Sequence, residues 1–78
     1  MQFPRNKADA TLHVETRRSS RTALMHGPFG DCAWVLSSIM PEAEGAVIWV
    51  ESVSGRFEGA AVKRAFELGV IKRVNAPI

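Results

Sequence analysis

Ala46-Val47-Ile48-Trp49-Val50-Glu51-Ser52-Val53 is the stretch on which the fold turns. Its centre, Val47 to Val50, is apolar at four consecutive positions. A strand with one face in water alternates apolar and polar residues, so an unbroken apolar run predicts an interior strand covered on both sides.

Upstream, Glu42 to Gly45 reads as a linker, and before it lies a helix that Pro41 ends. Asp31 is the expected N-cap, and Cys32, Val35, Leu36, Ile39 and Met40 follow as one continuous apolar stripe at helical spacing. Gly27-Pro28-Phe29-Gly30 breaks the chain ahead of this helix. Further back, Ala10 to Arg17 alternates, with Leu12 and Val14 on one side and Thr11, His13, Glu15 and Arg17 on the other, the period of a half-buried strand. Arg18 to Arg21 predicts a hairpin turn into a second short strand, Thr22 to His26. Met1 to Asp9 holds Pro4 and shows no period, and reads as a flexible arm.

Downstream, Ser54-Gly55-Arg56 predicts a turn into a second helix over Phe57 to Leu68, with Phe57, Ala61, Val62, Ala65 and Leu68 inward. Gly69 followed by Val70 is the signal of a left-handed glycine stop, with Val70 folding back on the helix. Val70 to Val74 reads as a last strand and residues 75–78 as a tail. The order ββαβαβ therefore predicts an α/β (α+β) domain over residues 10–74, a two-layer four-stranded mixed sheet with two helices. Two parallel crossovers would share the strand Ala46 to Val53. Gly27-Pro28-Phe29 and Gly55-Arg56-Phe57 repeat at a spacing of 28 residues, which suggests a duplicated unit.

At 78 residues and 46% hydrophobic composition the sequence predicts one globular domain of modest stability. No apolar run, Ala46 to Val50 included, exceeds five residues, against about 20 for a membrane span, so no membrane segment is expected. Met1 to Ala10 lacks the apolar core of a secretory leader. The single cysteine, Cys32, fits a reducing cytoplasm. Net charge is +2, distributed as +3 over residues 1–30, −4 over 31–54 and +3 over 55–78. Such a pattern can steer an acidic partner or let two copies dock.

No cofactor motif is present. His13 and His26, with Asp9, Glu15 and Asp31 nearby, show no metal-ligand spacing. A Cys32 thiolate assisted by His26 is the one candidate for nucleophilic catalysis, set against Cys32 opening the apolar stripe of its helix. Gly27, Gly30, Ser54, Gly55 and Arg56 would converge at the strand-to-helix turns as a candidate anion-binding site. Arg17, Arg18 and Arg21 on a hairpin tip, with Lys72 and Arg73, form a candidate nucleic-acid surface, and together with Trp34 a candidate partner-binding surface.

The reading the sequence favours is a non-catalytic binding protein acting through protein contacts, an accessory, inhibitor or adaptor of the kind common in phages and plasmids. A nucleic-acid module is the alternative, and a Cys32-dependent enzyme the third. A symmetric homodimer is expected, through sheet edges at Ala10 to Arg17 and Val70 to Val74.

Overall fold

The computed structural model describes residues 2–16, 21–42 and 45–75, and the architecture below is that of these residues. A hairpin followed by a helix occurs twice: β1 (Asp9–Glu15), β2 (Thr22–Pro28) and α1 (Phe29–Ile39), then β3 (Val47–Ser52), β4 (Gly55–Glu58) and α2 (Gly59–Glu67). The four strands form one sheet in the order β2-β1-β3-β4, and every pairing is antiparallel. The expected small α+β domain of four strands and two helices is thus present.

Its predicted parallel crossovers are not. Ser52 pairs with Gly55 across a tight turn at Val53 and Ser54, and Gly55 takes φ 128°, open to glycine without strain. The chain therefore doubles back, and Arg56 to Glu58 extends β4 along β3 before α2 begins at Gly59. The predicted strand Val70–Val74 is also absent. Gly69, at φ 80°, stops α2 as expected, its N–H donating to the Phe66 carbonyl and that of Val70 to Ala65. The residue that returns to the core is Ile71, however, while Val70 and Leu68 stay exposed.

Two rows of cross-strand neighbours face the helices: Met25, Leu12, Val50 and Phe57 in one, Thr22, Val14 and Ile48 in the next. Against them pack Phe29, Cys32, Ala33 and Leu36 from α1, Val62 and Ala65 from α2, and Ile71. The helices also pack on each other, so both lie on one side of the sheet. The apolar stripe Cys32, Val35, Leu36, Ile39, Met40 faces this core as its spacing predicts.

The segment 2–8, which the sequence predicts as a flexible arm, is held to the fold through Phe3, Asn6 and Ala8, while Gln2, Arg5 and Lys7 are exposed. The Phe3 ring meets Phe29 at 6.1 Å and Phe57 at 5.5 Å, and the carbonyls of Ala8 and Asn6 accept the N–H groups of Phe29 and Gly30. These bonds satisfy the start of α1, whose N-cap residue is Pro28 and offers no side-chain acceptor. Asp31, predicted as the N-cap, sits instead within the first turn, where it is buried beneath the segment that follows α2. Its Oδ1 accepts the N–H of Val74 at 2.7 Å and of Asn75 at 3.1 Å, and Oδ2 accepts Asn75 Nδ2 at 2.8 Å. Asp31 is the clasp that holds the segment after α2 across the first helix.

Burial acts to raise the Asp31 pKa, but the backbone bonds from Asn75 and Val74, the Asn75 amide and the charge of Arg73 outweigh it and hold the carboxyl below its ordinary value. A depressed folded pKa makes the contribution complete above the unfolded value, about 3.9, and lost as pH falls through the lower folded one. Asp31→Ala is expected to cost about 2–3 kcal/mol at neutral pH, since it leaves three donors without their charged acceptor. Urea midpoints of wild type and Asp31→Ala, followed from pH 7 downward, should converge at the acid end of the series; parallel curves would contradict the clasp.

Candidate functional site

The sheet face away from the helices carries the other residues of the alternation. Ala23, His13, Trp49 and Glu58 form one row across it, His26, Thr11, Glu51 and Arg56 the next, and Glu15 pairs with Val47 beyond them. No helix covers this face among the described residues, yet Trp49 is only 1% exposed. Neighbouring side chains bury it. His13, directly opposite on β1, stacks on the ring at 5.2 Å and 20°, and the Arg56 guanidinium lies 4.1 Å from its centroid. Directly paired residues bring their Cβ atoms within about 5.5 Å, which makes such stacking the natural arrangement. Cation–π attraction adds to it.

Glu51 ties the stack together. Trp49 Nε1 donates to Glu51 Oε1 at 3.0 Å, His13 Nε2 lies 3.6 Å from Oε2, and Arg21 lies 3.6 Å from Oε1. The Trp49 hydrogen bond, opposed by desolvation and helped by His13, Arg21 and Arg56, holds the Glu51 carboxyl below its ordinary value. Arg56 is also 3.7 Å from Glu58. His13 is buried, and its Nδ1 has no hydrogen-bond partner. Beside the stack, Thr11 Oγ1 meets His26 Nδ1 at 2.9 Å at the rim of a shallow hollow of about 290 Å³.

The edge next to this face is β2, since β1 lies inside the sheet and Val70 to Val74 is not a strand; the edges predicted at those two segments are corrected accordingly. Across its seven residues β2 carries no Lys, Arg, Asp or Glu, and Leu24 stands 49% exposed where the pairing with β1 shifts register. The opposite edge, β4, is four residues long and bears Arg56 and Glu58.

The residues singled out from the sequence fall in three places. Arg21 belongs to the Glu51 cluster, while Arg17 and Arg18 lie outside the described residues. Trp34 and Arg73 meet on the helix side, the guanidinium 3.4 Å from the ring centroid, so the 37% exposed tryptophan is partly roofed by the arginine; Lys72 beside them is exposed.

The five candidate anion residues do not converge. Gly27 lies near the end of β2 on one edge of the sheet, whereas Ser54, Gly55 and Arg56 belong to the β3–β4 hairpin on the other. The amides of Phe29 and Gly30 are already taken by the carbonyls of Ala8 and Asn6.

Cys32 and His26 are on opposite sides of the sheet. The thiol is fully buried, its Sγ 3.7 Å from the Ala10 carbonyl, whereas His26 shares the helix-free face with Thr11. Burial first, and the Asp31 charge second, push the Cys32 thiol up to about 11. Alkylation of Cys32 at pH 8 is therefore expected only at the rate of global unfolding, and rapid labelling of the folded protein would contradict its placement.

The residues missed from sequence are His13, Trp49 and Glu51 acting as a unit, and Asn6 with its neighbours in the arm. Antiparallel pairing of Ala10–Arg17 with Ala46–Val53 would have put the first three together; nothing in the arm's composition announced the second group.

What fold and face define together is a small two-layer α+β domain with one open sheet face. No protein-family model matches the chain, and no curated protein or solved structure matches it. Among the described residues no helix is long and apolar enough to cross a membrane, and no three His, Cys, Asp or Glu side chains are grouped to hold a metal.

Proposed function

We propose that the protein works without catalysis, by binding another protein across the helix-free sheet face and along β2. The observation that carries this reading is how the charges of that face are spent. Arg21 and Arg56 each lie within 4 Å of a carboxylate, Glu51 and Glu58, so the cations of this face are matched by acids of the same face, and beside them runs an edge strand that carries no Lys, Arg, Asp or Glu. An edge with unpaired N–H and C=O groups and no charge to repel a neighbour accepts an added strand. A face already ordered in the free protein loses little entropy on binding.

A second copy is the simplest partner, because antiparallel pairing of β2 with its symmetry mate is self-complementary. Sedimentation equilibrium over a tenfold concentration range should show a mass rising above 8.6 kDa, and Leu24→Lys should return it to the monomer. A constant mass near 8.6 kDa removes self-association and leaves a different protein as the partner. The nucleic-acid reading, through Arg17, Arg18, Arg21, Lys72 and Arg73, is separated by fluorescence anisotropy with mixed oligonucleotides. Binding that falls steeply with salt would overturn the protein reading.

A further inference from the structure

On the helix side, the two basic ends of the sequence come together. Arg5, Asn6 and Lys7 from the arm, with Arg73 and Val74 from the segment after α2, line a cavity of about 490 Å³. Arg5 and Lys7 also border an adjoining hollow of about 680 Å³ walled by Phe3, Pro4 and Ser54. No Asp or Glu lines either one.

The backbone around this corner is clamped. Asn6 Oδ1 accepts the Lys72 N–H at 3.1 Å, the Asn6 carbonyl accepts that of Gly30 at 2.9 Å, and Asp31 holds Val74 and Asn75. Among the described residues Arg5, Lys7 and Arg73 have no carboxylate within ion-pair distance. Asp31 feels the charge of Arg73 but lies beyond ion-pair distance of it, and its two oxygens are engaged by three N–H donors. Arg73 is fixed by its stacking on Trp34, and its Nε is covered without a hydrogen-bond acceptor.

We infer that this corner is a binding site for a multiply charged phosphate group. Three cations border one cavity with no carboxylate in its lining and none within ion-pair distance, which favours an anion that can touch all three. A single carboxylate would balance one of the three, whereas a diphosphate carries enough charge and enough acceptor oxygens to meet a guanidinium fork and an ammonium at once. The cavity falls within the range of about 300–1,000 Å³ usual for small-ligand sites. The Phe3 and Pro4 wall beside it suits an organic group attached to the phosphate.

The test is a titration of the ¹⁵N-labelled protein at low salt with inorganic pyrophosphate, and in a second arm with a nucleoside diphosphate. Saturable shifts are expected at residues 5–7 and 72–75 and at the Trp34 indole, with the Trp49 indole, on the other face, unmoved. The double variant Arg5→Gln/Lys7→Gln should weaken binding by about tenfold or more, and Arg73→Lys should bind better than Arg73→Gln. Equal affinity in both arms means that phosphate alone is read; tighter binding of the nucleoside diphosphate means that the apolar wall takes part. No saturable shift at millimolar concentrations, or shifts as large at Lys63 and Arg64 of α2, would overturn the site.

Discussion

Trp49→Ala is expected to leave the domain largely unfolded at room temperature. Truncating a fully buried tryptophan costs about 3–5 kcal/mol, and a domain of this size rarely holds more than about 3–5 kcal/mol in total. The loss is more than area. Without the ring, His13 and Arg56 have nothing to stack on, and Glu51 loses the Nε1–H donor that orders it. Trp49→Phe keeps an aromatic surface for both neighbours and removes only the donor and part of the area, so its cost should be about 1–2 kcal/mol. Urea unfolding of the three proteins, followed by circular dichroism, gives the order directly. A Trp49→Ala midpoint close to that of wild type would mean that the stack contributes little.

Gly30→Ala should be comparably damaging for a different reason. A Cβ built at Gly30 would lie 1.8 Å from the Lys72 carbonyl oxygen and 2.9 Å from its carbon, which is backbone and cannot rotate away. Relief requires lifting the whole segment, and with it the Lys72 bond to Asn6, the Asp31 clasp and Ile71 in the core. A cost of about 3 kcal/mol or more is expected, the upper range for overpacking. Gly27→Ala is the control, because the nearest atom there is the flexible Met25 Cε at 3.7 Å, and it should change stability by less than about 1 kcal/mol. Equal midpoints for the two variants would contradict the course of residues 70–75 over α1.

The contrast between these positions also shows where the sequence could be read. The first helix was legible because five apolar residues at helical spacing leave no other period, and Pro41 marks its end. The second helix starts two residues later than its apolar spacing predicts, because Phe57 fits two patterns at once. It stands four residues before Ala61, as a helix face would have it, and it alternates with exposed Arg56 and Glu58, as a strand would. With only four residues in β4, the strand period is too short to win by inspection. The structure puts Phe29 at the start of a helix and Phe57 in a strand, so the repeated Gly-x-Phe is not the register in which the two hairpin–helix units correspond.

Val70-Ile71-Lys72-Arg73-Val74 has strand composition, yet its amides go to Ala65, Asn6 and Asp31 rather than to either edge of the sheet. Tertiary context decided it. The candidate face was half legible. The polar side of the first strand was visible, but burial of His13 and Trp49 there depends on a strand pairing that composition does not reveal. The arm residues Arg5 and Lys7 gain meaning only from Arg73, which lies more than 60 positions along the chain.

The central claim, that the helix-free face and β2 meet another protein, is tested most directly by placing a photo-crosslinking amino acid at position 24 and, as a control, at position 64 on the outward side of α2. Irradiation in the source cell should yield discrete protein adducts from position 24, lost on Arg56→Glu, and none of the same mass from position 64. Adducts to nucleic acid from position 24, or the same protein adducts from both positions, would contradict it.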